Sequence, residues 1–453
     1  MQNSQTGIKP LSYYVTDLQS GSRPKGGVRG IETGIPSVGG EHLNSYGGFD
    51  FSSIRFVSPD FADGMTKGKI TRNDILIVKD GATTGKVSFV DNSFPYNDAT
   101  INEHVFILRT NKKIIPKFLF WHLWCKNGQI EILKNFQGSA QGGINRSFLE
   151  GVNVPDLPIE YQEEVAKKLD SYLSQCWLDQ TRLKKTRNLI SKFRQSILSA
   201  AVAGKLTEEW RKKNPSVETA SLLLKKIIAE KIKIKKKNKT QANVFDTNHL
   251  LDLPLSWVFT TLGQVVIDFK YGTSEKSDYA FTGTPVLRIP NIVSGSLDLT
   301  DLKYLSTSTT NEDDFVRNRD ILIVRSNGSR DLVGKNALVE NVKNNIAYAS
   351  YLIKIRPLIV NSTYIWILLN SPLAKKQLFD QAKSAAGINN INTQELSSLT
   401  IPLPPLEEQQ EIVKRVKSMF DAADLVDKQI EVAGNKSDKL TQSILAKAFR
   451  GEL

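Results

Sequence analysis

Residues 154–169 read VPDLPIEYQEEVAKKL, and residues 401–416 read IPLPPLEEQQEIVKRV. Two further pairs recur in the same order: TRNDILIV (71–78) as RNRDILIV (317–324), and QSILSAAVAGKL (195–206) as QSILAKAFRGEL (442–453). Every pair is displaced by 246 or 247 residues, so the chain contains an internal duplication. Two similar halves present two similar units to whatever the protein binds.

Each copy of this run begins a long stretch with apolar residues at heptad spacing. The first stretch has one series at Leu169, Cys176, Leu183, Ile190 and Ile197, and a companion at Val165, Tyr172, Asp179, Thr186, Phe193 and Ala200. The second stretch has Val416, Ala423, Ile430, Ser437 and Ile444, with Ile412, Met419, Val426, Ala433 and Leu440 as companion. Steps of three and four residues make a narrow seam on one helix face, which must be buried against another helix.

Two matching helices in one chain predict an intramolecular antiparallel coiled coil. Its predicted core comprises Leu169, Leu183, Ile190, Ile197, Val416, Ile430, Leu440 and Ile444. At the rise of an α-helix, about 40 residues make a rod of about 60 Å.

The residues before each long helix alternate short apolar runs with Gly, Asn and Ser. Strands are predicted at 74–81, 86–90 and 103–109 and a helical stretch at 116–136, and the second half repeats this scheme. We therefore predict an α+β protein with two mixed α/β domains, related by the repeat and separated by the pair of long antiparallel coiled-coil helices. The predicted parts are 1–157 (first α/β domain), 158–206 (first long helix), 207–252 (basic linker or helical connector), 253–403 (second α/β domain) and 404–453 (second long helix).

The composition is that of a basic globular protein, with 453 residues, a net charge of +13 and a pI of about 9.4. The excess charge indicates a polyanionic partner, nucleic acid first and an acidic membrane surface second, against the alternative of a basic surface kept for solubility. Two cysteines are typical of a reducing cytoplasm, and we find neither a signal peptide nor an apolar run long enough to span a membrane. The lysine-rich stretch at 222–240 is either a DNA-facing arm or, as we favour, a linker whose helical part docks its apolar residues on a neighbour.

Catalytic signatures are missing from the sequence. GATTGKV at 81–87 has three residues between its glycines and Val87 after the lysine, so it does not fit a phosphate-binding loop. Pro155-Asp156 with Glu160 partly matches the catalytic motif of metal-dependent nucleases, but the lysine of that motif is missing. The repeated segment at 402–409 also lacks the aspartate. The four histidines have no metal-ligand spacing. We therefore expect a reader with no catalytic residue, no metal and no cofactor of its own, which leaves the chemistry to partners.

The sequence resembles the specificity subunit of type I restriction-modification enzymes. The resemblance covers nearly the whole chain and rests on PPLEEQ at 404–409, SILAKAFRGEL at 443–453, its internal copy SILSAAVAGKLTEEWR at 196–211, LPLSWVFTTLG at 253–263, and the repeated DILIV strand with its Gly-Lys turn. The first half departs from this pattern, because it begins MQNSQTGIKPLSYYVTDL without the Leu-Pro-x-x-Trp entry.

The resemblance implies a division of labour. Each α/β domain would be a target recognition domain that reads one half of a split, asymmetric site in double-stranded DNA. The paired helices would set the spacer and dock two methylation subunits, which methylate adenine with S-adenosylmethionine. Two restriction subunits would add ATP- and Mg-dependent translocation and cleavage. The alternatives are a coiled-coil scaffold without DNA readout, and a self-contained DNA methyltransferase or nuclease.

Polar side chains on equivalent loops are the candidate DNA contacts. The predicted set is Lys79, Thr83, Thr84, Lys86 and Arg146 in the first half, and Arg288, Arg325, Asn327, Arg330 and Lys335 in the second. A second candidate region offers Ser37 and His42, with Arg288 and Asn291 in the corresponding stretch of the second half. A third offers Arg146, with Asn389 and Asn390 in the corresponding stretch. Gly85-Lys86 and Gly334-Lys335 recur in both halves, which favours a framework or phosphate contact over base choice.

Overall fold

The computed structural model describes residues 7–138, 142–235, 252–309, 311–381, 383–385, 388–450 and 452. The chain divides into two compact units. Unit 1 takes the described residues up to 186 together with those from 429 onward, and unit 2 takes those from 187 to 428. Each long helix therefore contributes one part to each unit.

Unit 1 contains strands β1 (Gly7–Pro10), β2 (Val15–Ser20), β3 (Ile35–Val38), β4 (Arg55–Val57), β5 (Ile75–Val78), β6 (Val87–Phe89), β7 (Thr100–Ile101), β8 (Val105–Thr110) and β9 (Asn153–Asp156). Its helices are α1 (Pro59–Gly64), α2 (Pro116–Trp124), α3 (Lys126–Leu133), α4 (Phe148–Gly151) and the start of α5 (Ile159–Val202). The connector that follows contains α6 (Glu208–Lys213) and α7 (Ala220–Lys235).

Unit 2 contains strands β10 (Val258–Thr261), β11 (Val266–Tyr271), β12 (Ser277–Asp278), β13 (Pro285–Leu287), β14 (Ile292–Val293), β15 (Ser296–Leu297), β16 (Lys303–Leu305), β17 (Ile321–Val324), β18 (Ser326–Asn327), β19 (Asn336–Leu338), β20 (Ala347–Tyr348), β21 (Leu352–Pro357), β22 (Lys383–Ala385), β23 (Ile388–Asn390) and β24 (Thr400–Leu403). Its helices are α8 (Ser362–Asn370), α9 (Pro372–Gln381), α10 (Thr393–Ser398) and the start of α11 (Leu406–Arg450).

The same four-stranded antiparallel sheet lies at the centre of each unit, in the order β2-β8-β5-β6 in unit 1 and β11-β21-β17-β19 in unit 2. In unit 1, Ile75 and Ile77 face the core under the helices, whereas Leu76 and Val78 face a second core on the other side. A strand covered on both faces needs an unbroken apolar run, which explains the repeated ILIV. The duplication predicted from the sequence is therefore a duplication of this sheet.

The helical stretch predicted at 116–136 is broken at Cys125, which separates α2 from α3. Cys125 has an extended backbone, with φ −64° and ψ 160°, and its Sγ accepts a hydrogen bond from the Gly128 amide. A side chain at Gly128 would collide with the His122 carbonyl. The same break recurs at Ser371 between α8 and α9, where the hydroxyl takes the position of the thiol.

Helices α5 and α11 run antiparallel. In unit 1, Gln180 Nε2 lies 2.5 Å from Asp438 Oδ1. In unit 2, Arg194 donates to Asp424 and Asp427, at 2.5 and 2.7 Å. Higher residue numbers on α5 therefore meet lower numbers on α11. These helices cover 159–202 and 406–450, within the predicted 158–206 and 404–453.

One of the two predicted heptad series in each helix lies in the seam. Leu169, Ile190, Ile197, Val416 and Ile430 are buried, and Leu183 and Ile444 are half-buried. The companion series is wrong along most of its length, because Leu440 is 55% exposed and Tyr172, Phe193 and Val426 are exposed as well. Its first members, Val165 and Ile412, are buried, in the cores of the two units. The second row of the seam lies four residues after the first, at positions such as Leu173, Gln180, Arg194, Ala201, Asp427 and Thr441. Several of these are polar, so hydrophobicity alone selects the wrong phase.

The described part of the linker is helical and docked. Ala220, Leu223 and Ile227 of α7 are buried in the core of unit 2, as expected for a linker whose apolar residues pack on a neighbour. The rest of the lysine-rich stretch, from residue 236 onward, lies outside the described residues.

Candidate nucleic-acid interface

Two of the three predicted contact regions meet in each unit. In unit 1 the turn after β5 pairs with the segment that precedes Arg146, through a bridge between Asp80 and Gly143 and a hydrogen bond from the Ile144 amide to the Lys79 carbonyl at 2.7 Å. In unit 2 the equivalent residues form a small sheet in the order β18-β23-β22, and the Ile391 amide donates to the Arg325 carbonyl at 2.8 Å.

The glycine of each Gly-Lys pair is required by this turn. Gly85 and Gly334 have φ values of 87° and 85°, in the left-handed region that side chains disfavour. Their amides return to the preceding strand, to Val78 and Val324. The recurring Gly-Lys signal therefore marks the backbone path of the turn.

In unit 1 the turn carries a compact titratable cluster. His104 Nδ1 lies 2.5 Å from Asp80 Oδ1, and its Nε2 lies 3.5 Å from Glu103. Lys79 Nζ donates to Ser20 Oγ at 3.3 Å. Asp80 and His104 border an open cleft of about 610 Å³, which Thr83 also lines.

In unit 2 the equivalent position carries an ordered arginine. The Arg325 guanidinium lies 4.5 Å from the ring centroid of Tyr271, and its Nε donates to Asn390 Oδ1 at 3.2 Å. Asn327 accepts a hydrogen bond from the Ser329 amide and is half-buried. Stacking and hydrogen bonding hold the planar guanidinium in one orientation, which is the arrangement suited to directional recognition.

The lysines that follow Gly85 and Gly334 in the two turns differ in exposure and hydrogen bonding. Lys86 Nζ donates to the Leu43 carbonyl at 2.9 Å, whereas Lys335 is exposed beside a cavity of about 280 Å³. Lys375 lines the same cavity, and burial lowers the pKa of its ammonium group. Thr84 binds back to the Gly81 carbonyl, at 2.7 Å. The backbone of Arg330 begins a short 3-10 turn, and its side chain lies outside the described residues.

The remaining predicted region is structural. His42 and Asn291 are buried and each caps a 3-10 turn, by accepting from the Gly39 amide and the Arg288 amide at 2.8 Å in both cases. Ser37 is buried as well. These side chains face the interior, which corrects the expectation that they face a ligand.

The two arginines predicted beside these loops are also engaged. The side chain of Arg288 is only 13% exposed and donates to Asp301 Oδ2 at 3.1 Å. Arg146 is exposed, but its guanidinium donates to the Leu18 carbonyl at 2.6 Å. Arg288 therefore holds a loop of its own unit, and Arg146 ties its own segment to β2 of the central sheet.

A basic loop of unit 1 was not among the candidate regions predicted from the sequence. The loop between β2 and β3 contains SRPKGGVRG at 22–30, with three exposed cations and three glycines of positive φ. Arg23 lies 3.5 Å from Glu103, beside the His104 cluster. Glycines that allow a loop to adapt, interleaved with cations, are a signal for a backbone-contacting loop.

Among the described residues, no group of three or more His, Cys, Asp or Glu side chains could hold a metal ion. Over the same residues, no helix is long and apolar enough to cross a membrane. Both cysteines are buried and free of disulfides.

A sequence model of the type I restriction modification DNA specificity domain matches residues 31–186 and again 254–433, which is one match for each half of the duplication. The chain belongs to this family. The type I specificity family includes the EcoKI specificity subunit of Escherichia coli (strain K12), which is 29% identical over 92% of this chain and 82% of its own length. The EcoBI specificity subunit of Escherichia coli is 31% identical over 78% of this chain and 69% of its own length.

The fold agrees with this family assignment. A solved chain from work on complex assembly and conformational transition of the type I restriction-modification system superposes with a TM-score of 0.63, at 18% identity, over the full length of both chains. The two α/β domains and the paired antiparallel helices predicted from the sequence are thus the fold of type I specificity subunits.

Proposed function

We propose that this chain is the DNA-reading subunit of a type I restriction-modification complex. Each α/β domain would read one half of a split, asymmetric site in double-stranded DNA. The observation that carries the proposal is a turn repeated in both units on the same backbone, with a carboxylate and histidine at Asp80 and His104 in unit 1 and a stacked arginine, Arg325, in unit 2. Equal frameworks with unlike side chains suit two readers of unlike sequences.

The side chains divide by what they offer to DNA. Arginine donates to guanine, and a carboxylate accepts from the cytosine amino group in the major groove. We assign base contacts to the two turns, through Lys79, Asp80, Thr83 and Thr84 in unit 1 and Arg325, Asn327 and Arg330 in unit 2. The cations Lys335, Lys375 and Arg23 suit phosphates, which position the protein without choosing a sequence.

The chemistry of the complex would reside in its partners. Two methylation subunits would use S-adenosylmethionine, and two restriction subunits would use ATP and Mg, in the cytoplasm. This chain would be non-catalytic, with residues 1–157 and 253–403 as recognition domains. The helical segments 158–206 and 404–453 would set the spacer and dock the methylation subunits, and 207–252 would connect them.

Methylation mapping tests the proposal. The chain is expressed with its methylation partner in a host that lacks adenine methylation, and N6-methyladenine is then located by sequencing. We expect one split motif with unlike halves and a fixed gap. A well-formed complex that methylates no motif would favour the scaffold alternative, and methylation or cleavage by the purified chain alone would favour a self-contained enzyme.

A further inference from the structure

The two units treat one equivalent surface differently. Strand β1 pairs with β9 in the same register as β10 pairs with β24, so Ile8 opposite Pro155 corresponds to Phe259 opposite Pro402. In unit 2, β10 is half-buried to buried along its length and Pro402 is buried. In unit 1, the first three residues of β1 are exposed, and Ile8 retains 67% of its accessible surface.

Helix α7 lies beside this surface in unit 2. The Ala220 amide donates to the Ser256 carbonyl at 3.0 Å, and Lys231 Nζ donates to the Gly263 carbonyl. The two acceptors, at residues 256 and 263, lie on either side of β10 along the chain. Ala220, Leu223 and Ile227 present one apolar stripe on this side of the helix and are buried.

In unit 1 the equivalent place is an open cleft of about 480 Å³. Its walls are Ile8, the α2–α3 junction, β9 and the end of α11, where Phe449 packs edge-on against His122 with ring centroids 5.2 Å apart. Apolar atoms dominate the walls, and the charged residues that line it are the cations Lys126 and Arg450. The cleft therefore has a lining suited to the apolar stripe of a helix.

A buried polar atom in this wall needs a hydrogen-bond donor. His122 is buried, and its Nε2 lies 2.8 Å from the Asn153 carbonyl, which makes Nε2 the protonated nitrogen. Its Nδ1 is left as an acceptor that finds no donor among the described residues. The equivalent residue in unit 2 is Leu368, so this acceptor belongs only to the unit whose cleft is open. Leaving such an acceptor buried and unpaired costs about 1–3 kcal/mol.

We propose that this cleft in unit 1 binds an amphipathic helix of a partner protein, with the apolar spacing of α7. The partner helix would place small or branched apolar residues at positions i, i+3 and i+7 against Ile8 and Phe449. The repeat supplies the argument, since Leu198, Val202 and Ile401 share one buried cluster with α7 in unit 2 and are the counterparts of Leu445, Phe449 and Val154 in the cleft wall.

The probe is a fluorescein-labelled peptide with the sequence of residues 217–235, titrated with the full-length chain. Measurement in about 0.5 M salt screens the charges of the peptide and of the cleft cations, so apolar contact dominates. Saturable binding is expected, and Ile8→Glu should weaken it at least about tenfold, or about 1.4 kcal/mol. Leu178→Glu, on an exposed apolar residue of α5 in the same unit and outside the cleft, is the matched control and should bind as the wild type does.

A second measurement locates the peptide. A photoreactive residue in place of Leu223 of the peptide should cross-link to β1 or to residues 442–450. Cross-links to β10 would show that the peptide replaces α7 in unit 2, and would overturn the proposal. So would the absence of binding, equal binding to the Ile8→Glu variant, or a dimer of the chain that Ile8→Glu dissociates, since a second copy would then be the occupant. None of these outcomes depends on DNA. The peptide experiments therefore test this proposal independently of the proposed role in reading DNA.

Discussion

Arg109 holds the buried carboxylate of Asp74 through two nitrogens, with Nε 2.7 Å from Oδ1 and an Nη 3.0 Å from Oδ2. Arg356 holds Asp320 in the same way in unit 2, at 2.7 Å for both bonds. Each pair ties the start of the central strand to its neighbour, β5 to β8 and β17 to β21. Each pair thus fastens the duplicated sheet at the end opposite the turn that follows β5 or β17.

Removal of this arginine should destabilise its unit. The Asp74 side chain is only 2% exposed, so Arg109→Met leaves a buried carboxylate without its partner and should lower the free energy of unfolding by about 3 kcal/mol. Urea denaturation measures the change. Arg55→Met is the control, because Arg55 pairs with Glu41 at 3.8 Å on the surface and should cost less than about 0.5 kcal/mol. Equal losses in the two variants would contradict the assignment.

The phase of the helical seam is tested within one helix. Ile430→Asp places a charge in the buried row of α11 and should cost about 3 kcal/mol or more, whereas Leu440→Asp adds a charge to an exposed position and should cost little. Thermal unfolding followed by circular dichroism compares the two. If Leu440→Asp were the more damaging change, the seam would contain Leu440 rather than Ile430, contrary to the burial of the two side chains.

The buried Lys354 should make the stability of unit 2 increase with pH in the alkaline range. Burial, together with the neighbouring Arg356, lowers the pKa of its ammonium group to about 8. The unfolded chain therefore binds more protons than the folded one between pH 8 and the ordinary lysine pKa near 10.4, and stability should rise across this window. The slope is measured as the difference between the wild type and Lys354→Met, which removes the titrating group. A difference that falls with pH in this window would contradict the direction of the shift.

The sequence predicts the framework well, because the framework is what the duplication repeats. Gln162 and Gln409 show why, because both are buried and each holds the equivalent loop of its own unit. Their side chains accept hydrogen bonds from the Ile115 and Asn361 amides, at 2.8 Å in both cases. Glu408 accepts from Trp257 and Arg211, whereas its counterpart Tyr161 donates to the Ala448 carbonyl. The first half has no counterpart of Trp257, and the residue that would bind it is correspondingly Tyr161 in place of a glutamate.

The site is predicted less well, for a physical reason. The type of a polar residue on a loop does not reveal whether its side chain caps a turn or faces solvent. His42 and Asn291 cap turns, whereas Thr83 faces solvent. The basic loop at 22–30 was missed because it has no counterpart in the repeat. The predicted phase of the helical seam was wrong where polar residues, such as Gln180 and Arg194, fill seam positions. These residues are held there by hydrogen bonds and ion pairs, and a search for apolar periodicity does not detect them.

Two readers on one framework make a direct prediction about the methylated motif. The Arg325 guanidinium and the Asp80 carboxylate occupy equivalent turns in different units. Replacing either residue by alanine should therefore relax the sequence of one half-site and leave the other half-site and the spacer unchanged. A lost base contact of this kind is worth about 1–3 kcal/mol. Lys343→Ala, at an exposed position of unit 2 outside both turns, is the matched control.

The most direct measurement is therefore the map of N6-methyladenine made by the wild-type, Arg325→Ala and Asp80→Ala chains, each expressed with the methylation partner. The account predicts a split motif in which Arg325→Ala relaxes a base in one half and Asp80→Ala relaxes a base in the other. Changes by both variants in the same half, or an unchanged motif in both, would contradict it.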